Sequence, residues 1–281
     1  MEKIKRKYAA WVSYAGTSFC GWQTQKQKDL LPSIQTTLEM ALLKMTGQQI
    51  RVIGSGRTDS GVHAAGQVAH FIIDDRDWDE RVLQRGLNGI LPRTIRIVQV
   101  KSVPLDFHAQ KSAIKKQYSY YFQQGPCALP HLEPYTWWIS KKLDLDAMRE
   151  GLRYLEGEHD FKAFQAAGAK PGPTVRSILE TEVAFLSPGF PPSLATPFGL
   201  VRVRVIGSGF LKQMVRGIAG TLLQVGEGRR PAKDFKLILD SLDRKSVGPT
   251  APARALWLEK VWYPENVGLW DNPGEGKLDG K

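Results

Sequence analysis

Tyr8-Ala9-Ala10-Trp11-Val12-Ser13-Tyr14 alternates, with Tyr8, Ala10, Val12 and Tyr14 on one side and Ala9, Trp11 and Ser13 on the other. Period two is the signature of a β-strand. Working outward, Ser33 is placed to cap a helix whose Ile34, Leu38, Ala41, Leu42 and Met45 share a face before Gly47 ends it. Residues 50–53 and 67–73 read as strands around a glycine-rich loop. Asp77, with Glu80 three residues on, opens a second helix, and 95–100 is a β-branched strand. The order is βαββαβ.

The remainder repeats that order. A strand at 117–122 precedes a helix at 145–155, strands at 175–185 and 200–206, a helix at 210–225 and a strand at 256–263. The expected fold is α+β: two ferredoxin-like (RRM-like) βαββαβ domains, each an antiparallel sheet with helices on one side, and an active-site cleft between them. The domains are expected at 1–104 and 105–264, divided where Pro104 breaks the chain, with 265–281 a disordered tail. A strand at 136–139, a Pro-rich loop at 187–197 and a short helix at 232–241 interrupt the second copy.

The chain has 281 residues and a net charge of +11, with 42% hydrophobic and 24% charged residues, which excludes collagen-like, coiled-coil and fully disordered classes. No run approaches the roughly 20 apolar residues of a membrane span, so no membrane association and no signal peptide are expected. Two cysteines, Cys20 and Cys127, lack metal or disulfide spacing and suit a reducing cytoplasm. The basic charge favours a polyanionic partner. His63, His70, His108, His131 and His159 show no metal spacing, so neither a metal nor another cofactor is expected.

The densest segment is Gly54-Ser55-Gly56-Arg57-Thr58-Asp59-Ser60-Gly61-Val62-His63-Ala64. It is not a P-loop, because Val62 and His63 stand where Lys and Ser/Thr must reach phosphate and magnesium. It is not a dinucleotide fingerprint, because Asp59 replaces the third glycine and would repel a pyrophosphate. Local chemistry alone reads it as a turn, since Asp, Gly and Ser are ordinary turn residues.

The segment nevertheless resembles the signature loop of the bacterial tRNA pseudouridine synthases of the TruA family. Other matches follow in the family's order: Tyr14-Ala15-Gly16-Thr17 with Phe19-Cys20-Gly21-Trp22-Gln23; Phe107-His108-Ala109; Lys116-x-Tyr118-x-Tyr120; Phe161-x-x-Phe164; Thr174-Val175-Arg176; Phe210-Leu211-x-x-Met214-Val215-Arg216; and Gly248-Pro249-Thr250-Ala251-Pro252. Ser60, Gln110 and Ala255 depart from the family pattern; Gln110 replaces an arginine and removes one phosphate contact.

The resemblance implies an isomerase that converts uridine to pseudouridine at positions 38, 39 and 40 of the tRNA anticodon stem-loop, working as a cytoplasmic homodimer. It implies Asp59 as nucleophile, Tyr118 packing on the target base and Arg216 pairing with the aspartate. Substrate binding would fall to Arg57, which helps displace the nucleotide, and to Tyr118, Thr58 and Gly56. The reaction exchanges the bond from ribose C1′ to uracil N1 for one from C1′ to C5, which needs a nucleophile and no redox partner. The carboxylate has two electrophiles available, the uracil ring and C1′, and the residue pattern selects neither. Desolvation around a base discourages ionisation of a carboxyl group, and an adjacent guanidinium opposes that effect. The competing readings are a non-catalytic RNA-binding protein on the same fold and a glycosidase-like hydrolase; no paired acid near Asp59 supports the latter.

Overall fold

A computed structural model of the chain describes residues 5–23, 31–74, 77–169, 171–186 and 199–270. The expected loop at 187–197 lies outside the described residues, as does the tail beyond Trp270.

Strand β1 (Arg6–Tyr14) follows the alternation, and Tyr8, Ala10 and Val12 are buried. Helix α1 (Ile34–Thr46) is capped by Ser33, whose hydroxyl accepts from the Thr36 amide at 3.0 Å, and ends at Gly47 in the left-handed conformation (φ 74°). Strand β2 is only Ile53–Gly54, shorter than 50–53. Side chains of α1 explain this: Glu39 accepts from the Val52 amide at 3.0 Å and Gln35 donates to the Val52 carbonyl at 3.1 Å, so these groups are satisfied without a strand partner. Strand β3 (His63–Ile73) begins four residues before the expected start.

Helix α2 (Glu80–Ile90) is capped by Asp79, not Asp77; Asp79 accepts from the Val82 amide at 2.9 Å. Asp77 instead accepts from the Tyr8 hydroxyl, which in turn accepts from the Trp78 amide and delays the helix. Strand β4 (Ile95–Val103) completes the first half.

The second half comprises β5 (Lys115–Gln124), β6 (Trp137–Ile139), α3 (Leu145–Arg153), β7 (Gly157–Asp160), β8 (Val175–Leu186), β9 (Leu200–Gly207), α4 (Met214–Gly226), α5 (Asp234–Ser241) and β10 (Leu256–Trp262). Helix α4 starts four residues later than the apolar stripe suggests, because Gln213 is left-handed (φ 61°) and interrupts the helical path. Strand β7 has no signature of its own: Gly-Glu-His-Asp neither alternates nor carries a β-branched residue, and pairing with β8 makes it a strand.

The ten strands among the described residues form one sheet, ordered β4-β1-β3-β10-β5-β9-β8-β7, with β2 beside β3 and β6 beside β5. Two separate sheets were expected. The seam is the parallel pairing of His63 and Ala64 in β3 with Trp257 and Leu258 in β10. Next to it β10 slips register between Leu258 and Lys260, and Gly66 of β3 lies against the bulge. A Cβ on Gly66 would stand 2.0 Å from the Glu259 carbonyl oxygen, so only glycine permits this approach. Within the stretch expected as tail, Glu265–Val267 form a 3-10 turn, and the Trp270 ring lies 5.9 Å from that of Trp11.

Candidate active site

The loop between β2 and β3 presents Asp59. Its turn is closed by the Val62 amide donating to the Asp59 carbonyl at 3.1 Å, with Gly61 at φ 80°. The loop is pinned from below by the segment that follows β1. The Tyr14 hydroxyl and Thr58 hydroxyl are 2.8 Å apart, the Trp22 amide donates to the Thr58 carbonyl at 3.1 Å, and Ser60 donates to the Phe19 carbonyl at 3.1 Å. Gly21, at φ 104°, is where a Cβ would reach within 2.6 Å of the Thr58 carbonyl oxygen. These contacts fix Thr58 and Asp59 before any substrate arrives.

Across from the loop, α4 and β5 supply the rest. Arg216 sits in the first turn of α4 and donates from Nη1 to Asp59 Oδ2 at 3.3 Å and from Nε to the Ala251 carbonyl at 2.7 Å. The guanidinium therefore forks between the carboxylate and a main-chain oxygen. The Ala251 amide donates back to the Arg216 carbonyl at 3.1 Å, so segment 248–252 grips the arginine at both ends. That grip requires small residues: a Cβ on Gly220 would stand 1.7 Å from the Pro249 oxygen. A cation in the first turn opposes the helix dipole, and the Asp59 carboxylate offsets that. The two side chains are 15% and 25% exposed, which leaves the carboxylate reachable without being fully solvated. Lys212 and Gln213 precede α4 and do not share a helical face with Arg216.

Tyr118 lies in β5 between Leu258 of β10 and Val205 of β9, and the Phe210 ring meets it edge-on at 5.0 Å. Burial drives its phenol well above the ordinary range, and the nearby Tyr14 and Asp59 push the same way. Tyr14 is pushed up to about 12, mainly by burial, against the lowering effect of its bond with Thr58. Both phenols stay neutral and serve as packing surfaces, not bases. Arg57 is exposed at the loop's tip, and Gly56 is partly buried beside Lys116.

The structure thus brings Asp59 against Arg216 and near Tyr118, with Thr58 held by Tyr14, Gly56 beside Lys116 and Arg57 exposed. His63 is a structural link: its Nδ1 accepts from the Gly16 amide at 3.1 Å, and its ring stacks on Trp257 at 4.5 Å. Tyr14, Gly21, Trp22, Phe210 and Ala251 were legible only as motif members, since their work is done by contacts with residues remote in sequence. Among the described residues no three His, Cys, Asp or Glu side chains are grouped to hold a metal ion, and no helix is long and apolar enough to cross a membrane.

The sequence profile of tRNA pseudouridine synthase matches residues 10–110 and 152–264. The chain is 39% identical over 262 residues to a tRNA pseudouridine synthase A of Bdellovibrio bacteriovorus, covering 91% of this chain and 94% of that one. It is 40% identical over 255 residues to the protein of that name from Maridesulfovibrio salexigens, covering 90% and 89%. The Chlamydia muridarum counterpart is 39% identical, with 93% of each chain covered.

Proposed function

The chain belongs to the tRNA pseudouridine synthase family, and we propose that Asp59 is the nucleophile with which it isomerises uridine in tRNA. It is an isomerase, and bonds balance within one nucleoside: C1′ leaves N1 and joins C5, N1 gains a proton and C5 loses one. The observation that carries the assignment is the Asp59–Arg216 pair at 3.3 Å, which aims a partly exposed carboxylate from one half at a cation from the other. The guanidinium favours the ionised, nucleophilic form and holds one oxygen, leaving the second for the substrate.

Tyr118 offers the face on which the target base packs, and Arg57 at the rim takes the space of the displaced nucleotide. Thr58 and Gly56 line the approach. The anticodon stem-loop, at positions 38, 39 and 40, is the region of tRNA addressed, and a homodimer in the cytoplasm is the working form. Each half is a ferredoxin-like domain, divided near residue 104. The strand orders β4-β1-β3-β2 and β10-β5-β9-β8, each the order 4-1-3-2 in its own half, support that reading.

Incubating the purified protein with unmodified tRNA and mapping pseudouridine tests the reaction and its positions. Asp59→Asn keeps size and hydrogen bonding but removes the nucleophile, so turnover should disappear while tRNA binding persists. Substantial pseudouridine formation by Asp59→Asn would refute the assignment.

A further inference from the structure

Lys116 projects from β5, in the second half of the chain, and its ammonium donates to the Ser55 carbonyl at 2.7 Å, at the start of the loop that carries Asp59. Gly56, the next residue, leaves room for it: a Cβ there would stand 3.3 Å from Lys116 Nζ. Among the described residues no carboxylate lies within ion-pair reach of this lysine. Desolvation, and then the charge of Arg176, lower its pKa to about 8. A lysine with only a surface role keeps its hydration shell, whereas this one gives up part of it to reach a main-chain oxygen.

The oxygen it reaches belongs to a built node. The Ser55 amide donates to the Val68 carbonyl at 2.7 Å, its hydroxyl donates to Gln67 Oε1 at 2.6 Å, and Gln67 Nε2 donates to the Gly56 carbonyl at 3.0 Å. All of these partners lie in the first half. Lys116 supplies the contact from the second half, just as Arg216 does four residues further along the loop.

We propose that Lys116 is a positioning residue for the nucleophile: it tethers the start of the loop to the second half while Arg216 holds the carboxylate, so both ends of the Ser55–Asp59 stretch are registered against β5 and α4. This rests on the reading of Asp59 as nucleophile. A tether acts on geometry in the bound complex, and misplacement of a reacting group by an ångström costs up to about a hundredfold in rate.

The test uses Lys116→Met, Lys116→Gln and Lys116→Arg in the full chain. Single-turnover rate at saturating tRNA, tRNA Kd and amide exchange of residues 56–62 in the free protein are measured. Lys116→Met should lose about tenfold or more of its rate with Kd within about twofold, and its loop amides should exchange about tenfold faster while those of β5 do not. Lys116→Gln, a neutral donor, should fall between, and Lys116→Arg should recover most of the rate. A weaker Kd at unchanged rate, with the log–log salt slope reduced by about one, would make Lys116 a phosphate contact and overturn the proposal. So would unchanged rate and exchange, or failure of all three variants to fold. Exchange is read without turnover, so a fully active Asp59→Asn would reject the nucleophile while loop loosening in Lys116→Met remained visible.

Discussion

At the scale of single residues, Arg216 separates charge from geometry. Its guanidinium serves Asp59 and Ala251 with different nitrogens, an arrangement that the single ammonium of lysine cannot reproduce. Arg216→Lys should keep the charge and lose one of the two contacts; Arg216→Met should lose both. A hydrogen bond to a charged group is worth about 1.5 to 3 kcal/mol, so Met should cost roughly ten- to a hundredfold in single-turnover rate, with Lys intermediate. Equal rates for all three proteins would mean that the pair does not assist the reaction. His70 is a second informative residue. Its Nδ1 accepts from the Ala109 amide at 3.1 Å in the segment joining the halves, and burial first, then His108 and Lys7, pushes its pKa down to about 4 from an ordinary 6.5. Between those values unfolding takes up a proton, so stability is full above about pH 6.5 and falls as pH drops toward 4, by at most roughly 3 kcal/mol. His70→Gln can still accept from Ala109 but cannot titrate. Its thermal midpoint should fall less steeply than wild type between pH 6.5 and 4, and parallel curves would refute the linkage.

At the scale of elements, the seam between β3 and β10 decides whether the site exists, because Asp59 approaches from one side and Arg216 and Tyr118 from the other. Gly66→Ala puts a methyl group against the Glu259 carbonyl. Overpacking of this kind costs about 1 to 3 kcal/mol, and in a chain of this size the thermal midpoint should drop by several degrees. Activity measured well below that midpoint should fall further than stability alone explains, since separated strands part Asp59 from Arg216. An unchanged midpoint would mean that the bulge relaxes freely. Most elements were legible from pattern: the Ser33 cap, Gly47 stop and alternation in β1 express local rules that act within one turn or one pleat. β7 and the late start of α4 were not, because neighbouring strands and a left-handed Gln213 created them.

At the scale of the whole molecule, the net charge of +11 meets a polyanion. Neutralising phosphates releases counterions, so log Kd for tRNA should rise linearly with log salt, losing about three orders of magnitude between 50 and 200 mM if six or more phosphates are contacted. In the proposed homodimer the charge would double over one assembly. Sedimentation at assay concentrations should give a dimer near twice 31.4 kDa. A monomer, or a salt-insensitive Kd, would contradict this.

Sequence by itself determined the elements other than β7 and suggested the repeated βαββαβ pattern and the loop at 54–64, because alternation, capping and motif spacing are written locally. Through a resemblance it also pointed to Tyr118 and to a pairing of Asp59 with Arg216, without the geometry of that pair. The tertiary structure decided that two expected sheets are one, through a glycine and a bulge that share a seam. It decided too that Arg216 forks between Asp59 and Ala251, and that Lys116 reaches Ser55 across 61 positions of chain. Such contacts have no local signature: each depends on where the backbone brings residues remote in sequence, and main-chain partners such as the Ala251 and Ser55 carbonyls are chemically identical at every position of the chain.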